Sequence, residues 1–240
     1  MQEIASPRRR AGRAGRTARA VRPAGWWFDA ALLAGFVALT VALAAGALLG
    51  VDEAIADWCR ARATGVSYWV ARTLNYLGQG TPLTLLCLGI AIWRGARIHS
   101  VRLLLPVAAA FLLTYATIGP LKLWIDRAAP AAGQVELFGE GVSYPSGHLV
   151  NAIVWYGVLA LLLAPWLSAR ARWVLRVGPP AIVFAATTYL GFHWLTDSIA
   201  GVLLGVLLDR LLSRVPWDDV PLPRRLAGWA GPAVFTRRQG

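Results

Sequence analysis

Uncharged apolar runs, each closed by arginine, proline or glycine, set the plan of this chain. The first spans about 30–51 and matches the roughly 20 residues a helix needs to cross a bilayer core. Five more follow, at about 78–93, 103–121, 148–167, 177–192 and 196–213. Between the first two, Asp52, Glu53, Asp57, Arg60, Arg62 and Arg72 alternate with Ile55, Trp58, Val66, Trp69, Val70 and Leu74. That mixture predicts an amphipathic helix lying at the membrane interface over 52–76. The expected fold is all-α: a polytopic membrane protein with six transmembrane helices in one bundle over 29–214. Residues 1–28, rich in Arg, Pro and Gly, are expected to form a disordered basic cytoplasmic tail. Residues 215–240 are expected to form an irregular cytoplasmic C-terminal tail with one short surface helix.

Composition supports this plan. Only 15% of the residues are charged, against the roughly 25% usual in soluble domains. The net charge of +12 raises nucleic-acid binding, but the basic residues punctuate apolar runs instead of covering one polar module. A cleavable twin-arginine export signal is disfavoured because the apolar run behind the arginines is too long. The distribution of positive charge fixes an expected orientation. Nineteen Lys and Arg residues fall on the side of the termini and five on the other. The positive-inside rule then places both termini in the cytoplasm and the loops after spans one, three and five outside. Cys59 and Cys87 follow no metal or disulfide pattern and read as small apolar residues.

Those three outer loops carry the candidate chemistry. His193 and Asp197, four apart at the start of the sixth run, share a helix face. An aspartate beside an imidazole fixes its tautomer and stabilises the charge it gains, which makes the other ring nitrogen a nucleophile toward phosphorus. A capping Asp with an interfacial His would give the same pattern. In Tyr144-Pro145-Ser146-Gly147-His148, Ser146 is placed to cap the fourth span. Helix-start N–H groups at Ser146 and Gly147 suit an anion, with His148 beside it as a proton donor. Lys122 is the single lysine among 24 basic residues. With Arg127 it offers a compact ammonium and a planar fork of donors to phosphate oxygens, unless both simply snorkel to the interface. Asp126, Glu136 and Glu140 show no metal-ligand spacing. The spans show no inverted repeat of the kind that marks transporters.

Taken together, Lys122, Pro145-Ser146-Gly147-His148 and His193 with Asp197 resemble the type-2 phosphatidic acid phosphatase superfamily of six-span membrane enzymes. The family pattern is Lys, six residues, Arg-Pro; then Pro-Ser-Gly-His; then Ser-Arg, five residues, His, three residues, Asp. The chain departs from it in having Ala129 for the first arginine and Ala186-Thr187 for Ser-Arg. The resemblance implies a metal-independent lipid phosphate phosphatase without cofactor, acting at the extracytoplasmic face on a polyprenyl or glycerolipid phosphate. In it His193 is the nucleophile, Asp197 its orienting acid, and His148 the general acid. Lys122, Arg127, Ser146 and Gly147 would bind the phosphate. Lipid phosphotransfer through the same histidines, and a catalytically weakened lipid-phosphate-binding protein, are the alternatives. The two missing arginines make diphosphates poor substrates. Membrane lipids are the expected surroundings, and no nucleic acid partner is expected.

Overall fold

The computed structural model describes residues 25–235. Most of the tail expected over 1–28 lies outside the described residues, but its last residues already belong to a helix that opens at Trp26. Eight α-helices follow in order: α1 Trp26–Ala44, α2 Leu49–Arg60, α3 Gly65–Asn75, α4 Gly80–Ile98, α5 Leu104–Ile125, α6 Gly147–Leu162, α7 Ala169–Tyr189 and α8 Leu195–Ser213. No β-strand occurs among the described residues.

The hub is α6. Leu149, Val150, Val154, Trp155 and Leu162 are buried, and α4, α5, α7 and α8 all pack around them. A helix surrounded by others needs no polar face, so beyond His148 and Asn151 near its start the sequence is apolar nearly all round. The outer helices reverse the soluble pattern. Trp27, Val41, Leu85, Leu112 and Trp124 stand exposed, while charged groups turn inward. Asp29 on α1 is buried and pairs with Arg210 at 2.6 Å and with Arg214, both at the far end of the chain's bundle.

Two helices among the described residues are long and apolar enough to cross a membrane, α1 and the Val101–Ala132 segment containing α5. A third arises if the pair Gly65–Gly78 and Gly80–Ile98, bent by 47°, counts as one span. α6 is apolar but shorter.

Three sequence expectations change. The single interfacial helix over 52–76 is two helices, broken at 61–64. Asp52, one of the charged residues of that amphipathic pattern, points into the protein and is buried, as is Asn75. α7 begins eight residues before the apolar run at 177, capped by Ser168, whose Oγ accepts from Ala171 N–H at 3.1 Å. Arg170, Arg172 and Arg176 therefore lie within a helix and not in a loop. Arg172 donates to the carbonyls of Ala164 and Leu167, and Arg94 inside α4 donates to the Leu162 carbonyl. Arg94 thus closes the carbonyl end of α6 and Arg172 ties down the α6–α7 turn, which periodicity alone does not reveal.

Candidate active site

At one end of the bundle a cleft of about 710 Å³ opens between the α5–α6 loop, the turn before α4, the start of α6 and the α7–α8 loop. Lys122, Ala129, Glu140, Ser143, Gly147, His148, Asn151, Phe192 and His193 all line it. The two histidines come from separate helical regions, 45 residues apart in sequence, and meet: His148 Nδ1 lies 3.3 Å from His193 Nε2.

Local sequence explains the approach. Ser146 caps α6, with its Oγ accepting from Leu149 N–H at 3.4 Å, so His148 falls in the first turn. Ser146 N–H donates to the Asp197 carbonyl at 3.0 Å, joining the start of α6 to the start of α8. Gly201 makes the joint possible: a Cβ there would stand 2.8 Å from Ser146 O and 2.9 Å from Leu149 Cβ. Gly191, at φ +67°, supplies the left-handed turn that brings His193 back from α7. Tyr144 is fully buried against Phe36 of α1 and shares a 2.7 Å hydrogen bond with Thr40. Burial pushes its phenol up to about 12, against a smaller opposing effect of the Thr40 bond, so it serves as a neutral anchor.

Behind His193 the arrangement is richer than a histidine beside an aspartate. The direct His193 Nδ1 to Asp197 Oδ2 distance is 3.7 Å, too long for a hydrogen bond. Ser143 Oγ bridges the gap, 3.2 Å from His193 Nδ1 and 2.5 Å from Asp197 Oδ2. A hydroxyl has one proton, and the carboxylate can only accept. Ser143 therefore donates to Asp197 and accepts from His193 Nδ1–H, which leaves His193 Nε2 bare toward the cleft. Asp197 Oδ2 also accepts from Trp194 N–H at 3.0 Å, and Oδ1 accepts from Arg127 at 2.6 Å.

Arg127 is fully buried and does not line the cleft. Its guanidinium bonds Asp197, Asp52 at 2.7 Å and Thr196 Oγ1 at 2.9 Å, and its Nε donates to the Val135 carbonyl at 2.9 Å. The structure does not place it as the phosphate ligand expected from the sequence: its donors go to two carboxylates, Thr196 and a carbonyl, and it ties Asp197 to Asp52 behind the cleft. Ser146 likewise is buried and does not line the cleft, and its N–H is taken by the Asp197 carbonyl. Gly147 and Lys122 do reach the cleft, and Lys122 Nζ donates to the Val142 carbonyl. Of the positions that depart from the family pattern, Ala129 lines the cleft. Thr187 is buried, its hydroxyl donating to Val183 O at 2.9 Å.

Sequence reasoning missed Ser143, Asp52, Thr196 and Asn75. Ser143 lies only two residues before Pro145 and was open to notice. Asp52 and Asn75 come from the amphipathic region, where nothing in the spacing links them to residues 75 and 73 positions away. No three His, Cys, Asp or Glu residues among those described stand together as a metal-ligand cluster. Cys59 and Cys87 are buried and free.

Residues 103–221 match the model of the PAP2 superfamily. The chain is 36% identical over 93 residues to phosphatidylglycerophosphatase B of Bacillus subtilis (strain 168), which covers 37% of this chain and 45% of that protein. It is 43% identical over 63 residues to an undecaprenyl-diphosphatase of Sulfolobus acidocaldarius, 26% of this chain and 28% of that one. The matches thus span less than half the length of either curated relative. A crystal structure described as the first transmembrane PAP2 type phosphatidylglycerolphosphate phosphatase, from Bacillus subtilis, superposes with a TM-score of 0.67 at 26% identity. That alignment covers 77% of this chain and 94% of the other.

Proposed function

The chain belongs to the PAP2 superfamily, and from that premise we propose that it is an integral membrane phosphatase that hydrolyses a lipid phosphate through a phosphohistidine. The observation that carries this reading is the pair His148 and His193, facing across 3.3 Å in one cleft with Asp197 tied behind the second. A binding site alone has no use for a nucleophile oriented by a buried acid.

In this reading α1 and α4–α8 are six spans, and the cleft opens at the extracytoplasmic face. The lipid phosphate displaces the Lys122 contact to Val142 and takes that ammonium, with the backbone at Gly147, as its oxygen ligands. His193 Nε2 attacks phosphorus. The P–N bond forms as the P–O bond to the lipid alcohol breaks, and protonated His148 gives its Nδ1 proton to the leaving oxygen. His193 gains positive charge, which the Ser143–Asp197 chain stabilises. His148, now neutral, takes a proton from water as the water oxygen attacks phosphorus. The P–N bond breaks and inorganic phosphate leaves. Transfer to an acceptor alcohol in place of water would use the same steps.

Charge selects the substrate within this class. Lys122 is the single Lys or Arg lining the cleft among the described residues, and Glu140 lines it too. Arg72 is engaged at the rim, its guanidinium 5.1 Å from the Phe192 ring centre. Each missing charged donor is worth about 2–4 kcal/mol of transition-state stabilisation. A monophosphate ester is therefore preferred to a diphosphate, by roughly tenfold or more in kcat/KM.

The test is phosphate release from phosphatidic acid, phosphatidylglycerol phosphate and polyprenyl mono- and diphosphates by purified protein in detergent, beside His193→Ala. Release that the substitution abolishes supports the reading. Undiminished release from His193→Ala removes the nucleophile assignment, and a new phosphorylated product on adding an alcohol favours transfer.

A further inference from the structure

Asn75 ends α3, outside the residues that match the family model and outside every motif of the sequence. It is 3% exposed. Its Nδ2 lies 3.4 Å from His148 Nε2, the ring nitrogen on the far side from His193. Its Oδ1 is buried without a hydrogen-bond partner. An amide nitrogen has hydrogens and no lone pair to offer, so His148 Nε2 must accept. The His148 proton then sits on Nδ1. That agrees with the chain deduced from the other end, where His193 Nε2 is bare and the 3.3 Å contact needs a proton from His148. The sequence Asn75 N–H, His148, His193, Ser143, Asp197 runs as one directional line of hydrogen bonds.

Catalysis, on the reading proposed above, demands the opposite at Nε2. When His148 gives up its Nδ1 proton as an acid, it must retain a proton on Nε2, and that proton needs an acceptor. Turned over about its last torsion, the Asn75 amide presents Oδ1 in the same place with nearly the same shape. We propose that Asn75 is a positioning residue that sets the protonation of His148. Its N–H holds the neutral imidazole in the resting site, and its carbonyl oxygen holds Nε2–H once His148 is charged. A group that only packs would not require an unpaired carbonyl oxygen beside an ionisable ring, where burying one costs stability.

Other groups facing His148 set the background. The titratable groups around it are Lys122 on α5, His193 on the α7–α8 loop, Glu140 on the α5–α6 loop and Asp197 behind His193. α4 contributes Gly80, Thr81 and Pro82, which do not titrate, and α7 turns Val183 and Thr187 inward.

The experiment compares Asn75→Leu and Asn75→Asp with the parent protein, using dioctanoyl phosphatidic acid in detergent, across pH. Asn75→Leu removes donor and acceptor and is expected to lower kcat by roughly tenfold or more, with KM little changed. Asn75→Asp supplies an acceptor with charge, and is expected to move the alkaline limb of the rate profile to higher pH by about one unit or more. In a His148→Ala background, Asn75→Leu is expected to cause no further loss. Equal losses in both backgrounds, or unchanged profiles in both variants, overturn the proposal. Nitrogen NMR of histidine-labelled parent protein gives a second measurement that needs no Asn75 variant to fold. The chain has three histidines, so His148 is assignable through His148→Ala. A bare Nε2 with a protonated Nδ1 in the resting protein is required, and the other tautomer sinks the idea. Absence of any activity in the parent would instead count against the phosphatase reading, and would leave the NMR result to judge Asn75.

Discussion

Two cations that look alike in sequence have opposite fates. Lys122 reaches the cleft, whereas Arg127 lies fully buried between Asp52 and Asp197. Removing one partner from a buried ion network leaves unpaired charge and costs about 3–5 kcal/mol. Arg127→Ala is therefore expected to lower the thermal unfolding temperature in detergent and abolish activity together. Lys122→Ala should leave the unfolding temperature within a few degrees of the parent while raising KM and lowering kcat. Calorimetry or fluorescence melting beside phosphate release measures both, and an Arg127→Ala protein of parental stability would contradict the buried role. Ser143 makes a third case. With Ala there, His193 faces a carboxylate at 3.7 Å and no bridge, so kcat is expected to fall on the order of tenfold with KM nearly unchanged.

Helices meet at the site because small residues let them. α8 crosses the start of α6 at Gly201, where a Cβ would press on Ser146 and Leu149. Overpacking of this kind typically costs about 1–3 kcal/mol. Gly201→Val is expected to lower the unfolding temperature and also to spread His148 from His193, so activity should drop more than stability accounts for. Activity that survives at the parental level when assayed well below the unfolding temperature would show that the joint does not set the histidine spacing. The element scale is also where the sequence was least legible. Apolar runs located six helices, but α7 starts in an arginine-rich stretch, because arginine is a good helix former and Ser168 supplies a cap. The split between α2 and α3 was hidden because both halves carry the same mixed polarity.

At the scale of the whole molecule, the cleft and the clustered arginines sit at opposite ends. Arg94, Arg172, Arg176, Arg210 and Arg214 bond carbonyls and carboxylates at the end away from His193. The orientation proposed for this bundle predicts that a cysteine replacing Glu140 reacts with a membrane-impermeant thiol reagent in intact cells. Cys59 and Cys87, both buried, should give little background. Labelling only after the membrane is opened would place the cleft on the cytoplasmic side.

The amino-acid sequence alone determined the helical class, the motif that singles out His148, His193 and Asp197 as candidates, and the departures at Ala129 and Thr187. Each is a matter of residue type at short spacing or of long apolar runs, which local chemistry fixes. Only the tertiary structure decided which polar groups stand in the cleft and which behind it. Arg127 faces Asp52, Ser143 stands between His193 and Asp197, and Asn75 backs His148. Buried polar groups must find hydrogen-bond partners, but the partner's position in the chain is set by how helices pack, and no spacing encodes it.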